Sequence, residues 1–352
     1  MNQAHTLKCP ACGAYLVYEP EKDKLVCPFC EAEFTQEQAD AQQATAQAAE
    51  PSGHTHTYHC ASCGAELVTD ETTAATFCYY CHNPVTLMDR VTDEFQPDGM
   101  IPFAIDREGA VKRFKQFLSK KWFVRREFFS EGSLEKLTGV FYPYWMGDLS
   151  GDGEYQGEGT RVSIASTPKY DIITTRYYDV HRTGEVHYRQ MMRKALEKCD
   201  RKLSDGVHPY RFSALRPFST ALLSGYMAHK RDVPQATAQA DMEQEAQEHT
   251  KQVMTQDLHY DTLHGSATFQ TRTANLRYLL LPTWVLTYRN KQEEAAYYYM
   301  MNGQTGNVCG KLPIDAGYCA WEVLSYGETA AGLADAAVAS SYGAGAKSCG
   351  GG

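Results

Sequence analysis

Eight cysteines in four Cys-x-x-Cys pairs constrain this chain more than any other feature: Cys9/Cys12, Cys27/Cys30, Cys60/Cys63 and Cys78/Cys81. In each half 14 residues separate the two pairs, so C-x2-C-x14-C-x2-C occurs twice. Zinc takes a tetrahedral shell of soft thiolates, and two such knuckles joined by a short hairpin deliver four sulfurs to one point. The spacing therefore predicts two structural Zn2+ sites, one for Cys9, Cys12, Cys27 and Cys30, the other for Cys60, Cys63, Cys78 and Cys81. Four thiolates leave no coordination position open for a catalytic water. A ribbon this short buries little core, and a structural zinc supplies about 10–16 kcal/mol of its folding free energy.

The two halves form an internal repeat. CPACGAYLVYEPEKDKLVCPFC aligns without gaps on CASCGAELVTDETTAATFCYYC, with Gly13-Ala14 matching Gly64-Ala65 and Leu16-Val17 matching Leu67-Val68. Glycine after a first knuckle suits a tight turn at positive φ. Leu-Val then opens a strand, a polar turn follows (Glu19–Lys24, Asp70–Thr73), and a return strand delivers the second knuckle. Glu31 and His82-Asn83 follow the second knuckles where glycine would be easiest; asparagine tolerates the left-handed region and glutamate is less comfortable there. His54, His56 and His59 lie near Cys60 as alternative ligands, and a solvated linker is the simpler reading of them.

Charge is uneven. Residues 1–90 hold 4 Lys+Arg against 12 Asp+Glu, whereas residues 91–352 hold 30 against 31. An acidic front opposes binding to a phosphate backbone. No run reaches the roughly 18 apolar residues of a spanning helix, and the first residues do not read as a signal peptide. A cytoplasmic location is expected.

The chain is expected to divide into ribbon one (1–35), an Ala/Gln-rich linker (36–57), ribbon two (58–90), an α+β domain (91–316) and an Ala/Gly-rich disordered tail (317–352). The linker is expected to form a fraying helix and a flexible joint, so the ribbons need not pack together. In the large domain Val111, Phe114, Phe117 and Leu118 repeat at helical spacing within Arg107–Lys121. Its lysines and arginines read as a solvated face or as a basic groove. From Val140 the pattern turns to short, aromatic-rich strands: VFYPYWMGDL, EYQGEGTRVSI, YDIITTRYYDV and EVHYRQ. Helices are expected around Thr220–Lys230 and Gln235–Gln256. Strands resume with HGSATFQTRT, RYLLLPTWVLTYR and AAYYYMMN, closed by a turn at Asn302-Gly303. This order suggests antiparallel sheet. The shared Pro-x-Trp of VFYPYWMGDL and LLLPTWVLTY hints at a duplication.

Patterns that would carry catalysis are scarce in the chain. Asp148–Gly159 resembles a calcium loop, but Gly159 stands where glutamate is needed, and a hairpin turn is the better reading. GAGAKS near the C-terminus lacks a following helix to supply anion-binding amides. Cys199, Cys309, Cys319 and Cys349 read as ordinary thiols. No catalytic or cofactor-binding residue is expected.

The double ribbon followed by IPF (101–103), GVFYPYW (139–145), LSGYMA (223–228), LPTW (281–284) and MNGQTG (301–306) resembles a bacterial TFIIB-type zinc-ribbon protein family. Members are sometimes labelled primosomal or helicase-like, and this chain has neither Walker motif. The resemblance implies partners of the phage-shock or flotillin-like (SPFH) membrane-stress type, and it carries zinc ligation over to the eight cysteines. Related chains continue after the segment matching Leu312–Asp315 into membrane helices; the tail here is too polar to span. Three readings result. The first is a non-enzymatic adaptor whose ribbons recruit protein partners, peripheral to the membrane through them. The second is a nucleic-acid-binding module using Arg107–Arg126 and Arg189–Lys202. The third is an enzyme of unrecognised type in the large domain.

Overall fold

A computed structural model describes residues 3–44, 57–63, 65–69, 72–78, 81–88, 91, 95–119, 137–199, 201–289 and 296–310. The joint at 45–56 and the tail at 317–352 lie outside the described residues, as do Cys319, Cys349 and GAGAKS. The fold is mixed α+β and mostly strand, with the ribbon-like segments first and a larger sheet region after them.

Ribbon one contains β1 (Gln3–Ala4), β2 (Val17–Glu19), β3 (Lys24–Val26) and β4 (Glu33–Phe34), followed by α1 (Gln36–Ala44). Strands β2, β3 and β4 form one antiparallel sheet. Ribbon two contains β5 (Thr57–Cys60), β6 (Glu66–Val68), β7 (Thr73–Phe77) and β8 (Pro84–Thr86). In ribbon one Val17 opens β2 and the polar turn follows as expected; in ribbon two Leu67-Val68 close β6 instead of opening it, and Asp70 and Glu71 of the expected turn lie outside the described residues. Then come β9 (Gly99–Met100), α2 (Arg107–Ser119), β10 (Thr138–Ser166), β11 (Asp171–Lys194), α3 (Arg201–Gly206), β12 (Met227–His229), α4 (Gln235–Thr255), β13 (Thr262–Arg289), β14 (Ala296–Asn302) and β15 (Val308–Gly310).

The chain divides into two compact units. The first comprises 1–143, 196–232 and 279–352, the second 144–195 and 233–278. The division therefore cuts through the segment 91–316, and both ribbons belong to the first unit. There β1 pairs in parallel with β5, and the amide of His5 donates to Thr86 at 2.9 Å, so the two ribbons share hydrogen bonds. Strand β7 of ribbon two pairs with β12, and the start of β10 pairs in parallel with β12. On the other side β13 pairs with β9 and β14, and β14 with β15.

The core of the first unit forms around Phe103. Tyr226 stacks on it at 4.2 Å, while Phe141 and Trp284 meet it edge-on at 5.0 and 5.2 Å. Four of the sequence segments that carry the resemblance converge here. The fifth, 301–306, caps the cluster: amides of Ala104 and Ile105 both donate to the Gly303 carbonyl at 3.0 Å. The indole N–H of Trp284 donates to Ile105 at 3.0 Å, satisfying the one polar atom that burial of the ring would orphan. Helix α2 buries Ala110, Phe114 and Leu118, at the i, i+4 spacing of a single face, and leaves Lys112 and Lys115 in solvent.

The second unit is a long hairpin with a helix on it. Strands β10 and β11 pair antiparallel from Tyr144↔Lys194 to Ser166↔Asp171, closed by a turn in which the Thr167 amide donates to Tyr170 at 2.9 Å. Tyr155, Val180, Val186 and Met254 form its core. Helix α4 turns Ala238, Met242, Ala246, Thr250 and Met254 inward at a regular four-residue spacing. The indole of Trp145 donates to Val233 at 3.0 Å.

Three expectations change. Asp148–Gly159 is neither a calcium loop nor a turn: it is the middle of β10, and the reversal lies at 167–170. Its glycines are there for close approach. A side chain at Gly151 or Gly157 would collide with backbone of β13, at Gln270 and His264. The strands expected to end at 149 and 164, and the two expected within 170–190, are single long strands. Finally, Thr220–Lys230 is not a helix; a single 3-10 turn at Thr220–Leu223 gives way to β12, with Gly225 at φ 91°.

Candidate metal centres

Each knuckle is built from backbone hydrogen bonds that aim its cysteines. The Cys9 amide donates to the Ala14 carbonyl at 2.6 Å, and the Cys9 carbonyl accepts from Gly13 at 2.8 Å. The same pattern holds at Cys27 (with Ala32 and Glu31) and at Cys78 (with Asn83 and His82). A turn this tight forces the residue after the second cysteine into the left-handed region: Gly13 at φ 77°, Glu31 at 58° and His82 at 58°. Glutamate and histidine accept that strain of about 1 kcal/mol each. In ribbon two it falls on His82, not on its neighbour Asn83.

The result is two separate clusters of four thiols. In each, the four sulfurs lie within 4.8 Å of one another. The closest approaches are Cys12–Cys27 at 3.5 Å and Cys9–Cys30 at 3.6 Å in ribbon one; in ribbon two Cys60–Cys81 and Cys63–Cys78 are both at 3.7 Å. A tetrahedron with metal–sulfur bonds of about 2.3 Å has edges of about 3.8 Å, so the donor set fits a metal ion. Among the described residues both clusters are cysteine alone: His59 lies on β5 outside them, and His54 and His56 lie outside the described residues.

Electrostatics point the same way. Burial pushes the Cys27 thiol up, but the backbone amides of Cys30 and Phe29 outweigh it and hold Cys27 at about 7. At Cys12 the Ala14 amide pulls down, and the neighbouring thiols Cys27 and Cys30 override it to about 12; burial and neighbouring thiols likewise drive Cys81 to about 12. One sulfur in such a cluster ionises readily and its neighbours then resist. A bound cation removes that resistance, since the thiolate is the form that ligates.

Each cluster sits on its own small core. Leu7, Leu16, Leu25 and Ala39 pack under the first, with Ala221 from the body; Tyr58, Leu67, Val85 and Leu87 pack under the second. The inner cysteine of each pair is buried, while Cys12, Cys30 and Cys63 face solvent. Further bonds that sequence reasoning missed tie ribbon one to the body. The Tyr18 amide donates to Ser224 at 3.0 Å, the Ser224 hydroxyl to Leu16, and Arg216 grips Asp23. At the open end of this ribbon Phe29, inside the second knuckle, is 73% exposed and meets Tyr15 edge-on at 5.9 Å. Beside it a cleft of about 530 Å³ is lined by Tyr15, Pro28, Phe77, Tyr226 and Trp284, with Glu19 and Asp106 among its polar groups.

Bacillus subtilis (strain 168) has a protein, described as uncharacterized protein YdjG, that is 30% identical over 243 residues, spanning 67% of this chain and 69% of YdjG. The chain belongs to the YdjG family. No family model matches the chain, and no solved structure matches it. Membership in the YdjG family brings no activity with it, so the chemistry rests on the two cysteine clusters.

The remaining candidates fall elsewhere. Cys199 is buried, and the Cys309 thiol donates to the Lys202 carbonyl at 3.6 Å. Within 189–202 Arg193 is buried and paired with Glu245, which withdraws it from any phosphate. Lys120–Arg126 lie outside the described residues. No described helix is long and apolar enough to cross a membrane.

Proposed function

We propose that this is a non-enzymatic zinc protein whose first ribbon docks a protein partner. The observation that carries the proposal is Phe29, held on a metal knuckle at 73% exposure beside an aromatic cleft. A large ring on a rigid, metal-braced turn offers apolar contact at little entropic cost, which is the character of an interface anchor. Zinc is the metal of this reading because a four-cysteine tetrahedral set suits it, and such a set is closed. Its role is to brace the ribbons.

The resemblance to TFIIB-type ribbon proteins supports a place among cytoplasmic, membrane-associated stress assemblies of the phage-shock or SPFH kind, reached through partners. The acidic first 90 residues, 4 basic against 12 acidic, disfavour nucleic acid. The paired indole bonds of Trp145 and Trp284, each to a carbonyl two residues before a helix, support reading the body as a duplication.

Affinity capture from the native host, divided into nuclease-treated and untreated halves, tests the proposal. Protein partners should survive nuclease and be lost from Phe29→Ser while its zinc content stays at wild type. Partners that disappear with the nucleic acid, or that bind Phe29→Ser as well as wild type, would refute it.

A further inference from the structure

Six of the eight exposed large apolar side chains among the described residues fall between Val162 and Tyr177. They are Val162 (43% exposed), Ile164 (65%), Tyr170 (64%), Ile172 (49%), Ile173 (65%) and Tyr177 (69%). All belong to the far end of the β10–β11 hairpin. Isolated surface hydrophobics need no explanation, but a contiguous set does.

The register sorts them. Directly opposed residues share a face, so the pairs Thr160↔Tyr177, Val162↔Thr175 and Ile164↔Ile173 lie on one side. Following that side back along β10 gives Glu158, Gln156, Glu154 and Asp152; along β11 it gives Asp179, His181 and Glu185. It is the solvent side, opposite the core of Tyr155, Val180 and Val186. Near the helix it is charged, as a solvent face should be. From Thr160 outward it becomes uncharged and apolar until Ser166↔Asp171. The opposite side carries Ile172, across from Ala165, together with the charges: Arg161 stacks over Tyr178 and Tyr260 at 5.8 and 5.4 Å, and Arg176 pairs across from it. This leaves Val162, Ile164, Ile173 and Tyr177 as the apolar set of the outer face.

We infer that the outer face of this hairpin, centred on Ile164 and Ile173, joins two copies of the chain in a two-fold symmetric dimer. An uncharged β-branched surface is complementary to itself and meets no like charge when two copies pack face to face. The acidic part of the face starts beyond Thr160, on the helix-proximal side of the contact. Packing would cover roughly 500 Å² per copy, about 1,000 Å² in all, near the lower limit for a specific interface. An interface at that limit makes the dimer weak and reversible. Burial in lipid fits less well. Among the described residues β11 pairs only with β10, so insertion would strip water from a long row of unpaired backbone groups. The proposal is independent of the metal sites.

Sedimentation equilibrium of the metal-loaded full chain from 1 to 200 μM, repeated with Ile164→Lys/Ile173→Lys, tests it. Both side chains are exposed, so circular dichroism of the variant should equal wild type. Wild type should follow a monomer–dimer isotherm, and the variant should weaken it by at least a hundredfold. Arg176→Ser, on the other face, should leave it within threefold. A wild type that stays monomeric at 200 μM, or a dimer unchanged by the two lysines, would overturn the inference. So would open-ended association. A monomeric wild type that binds phosphatidylglycerol vesicles through Ile164 and Ile173 would assign the face to lipid and overturn it equally.

Discussion

The guanidinium of Arg216 holds both carboxylate oxygens of Asp23, at 2.9 and 2.6 Å, across 193 residues of sequence. Asp23 occupies the hairpin turn of ribbon one at φ 52°, and the Tyr18 hydroxyl donates to the same carboxylate at 2.7 Å. Arg216 holds the Asp23 carboxyl below its ordinary value; burial opposes the shift and Tyr18 assists it. The pair is about half exposed, so solvent screens it to about 1 kcal/mol or less. Arg216→Ala should loosen ribbon one from the body by that amount. Hydrogen exchange at the Tyr18 amide, which donates to Ser224, should quicken a few-fold while β14 amides stay unchanged.

The left-handed knuckle residues give a stabilising prediction. Glu31→Gly and His82→Gly each relieve a backbone at φ 58° and should stabilise their ribbon by about 0.5–1 kcal/mol. Gly13→Ala, at φ 77°, should cost a similar amount. The rate of metal loss to a competing chelator reads all three: slower for the first two, faster for the third.

In the second unit, Gly151→Ala or Gly157→Ala would drive a Cβ into the β13 backbone at Gln270 or His264. Backbone cannot swing aside as a side chain can, so each should destabilise this unit by about 2–4 kcal/mol. Protection of α4 and β10 amides against exchange should fall accordingly. The metal content of the ribbons should not change.

His208 sets a pH dependence. Burial lowers its pKa and nearby Asp205 only partly restores it. The folded state thus binds its proton less readily than the unfolded chain, whose histidine titrates near 6.5. The contribution is fully present above that pH. It is lost as pH falls from there through the lower folded value. Wild-type thermal stability should drop between pH 7 and 5, and His208→Gln should show a shallower drop. Parallel curves would exclude the effect.

The two four-cysteine clusters were legible in the sequence because a Cys-x-x-Cys turn is local: two residues and their backbone bonds decide where both sulfurs point. Helix α4 was legible for a similar reason, since its inward positions recur every fourth residue. The long strands were not. Gly147, Gly151, Gly153, Gly157 and Asp148 punctuate β10 as turn residues would, yet the glycines leave room for packing from Met242, Met254 and the β13 backbone. Nor was the docking of ribbon one, because Asp23–Arg216 and Leu16–Ser224 join residues about 200 positions apart. Thr220–Lys230 was expected to be helical, but Gly225 at positive φ breaks it and β12 satisfies its backbone between β7 and β10.

The central claim is that each ribbon closes four thiolates around one zinc. Elemental analysis of the purified full chain combined with zinc K-edge X-ray absorption tests it most directly. The account predicts two zinc ions per chain and a shell of four sulfurs at about 2.3 Å, with no oxygen or nitrogen neighbour. Fewer than two zinc ions in protein refolded with excess metal, or a shell mixing sulfur with nitrogen or oxygen, would contradict it.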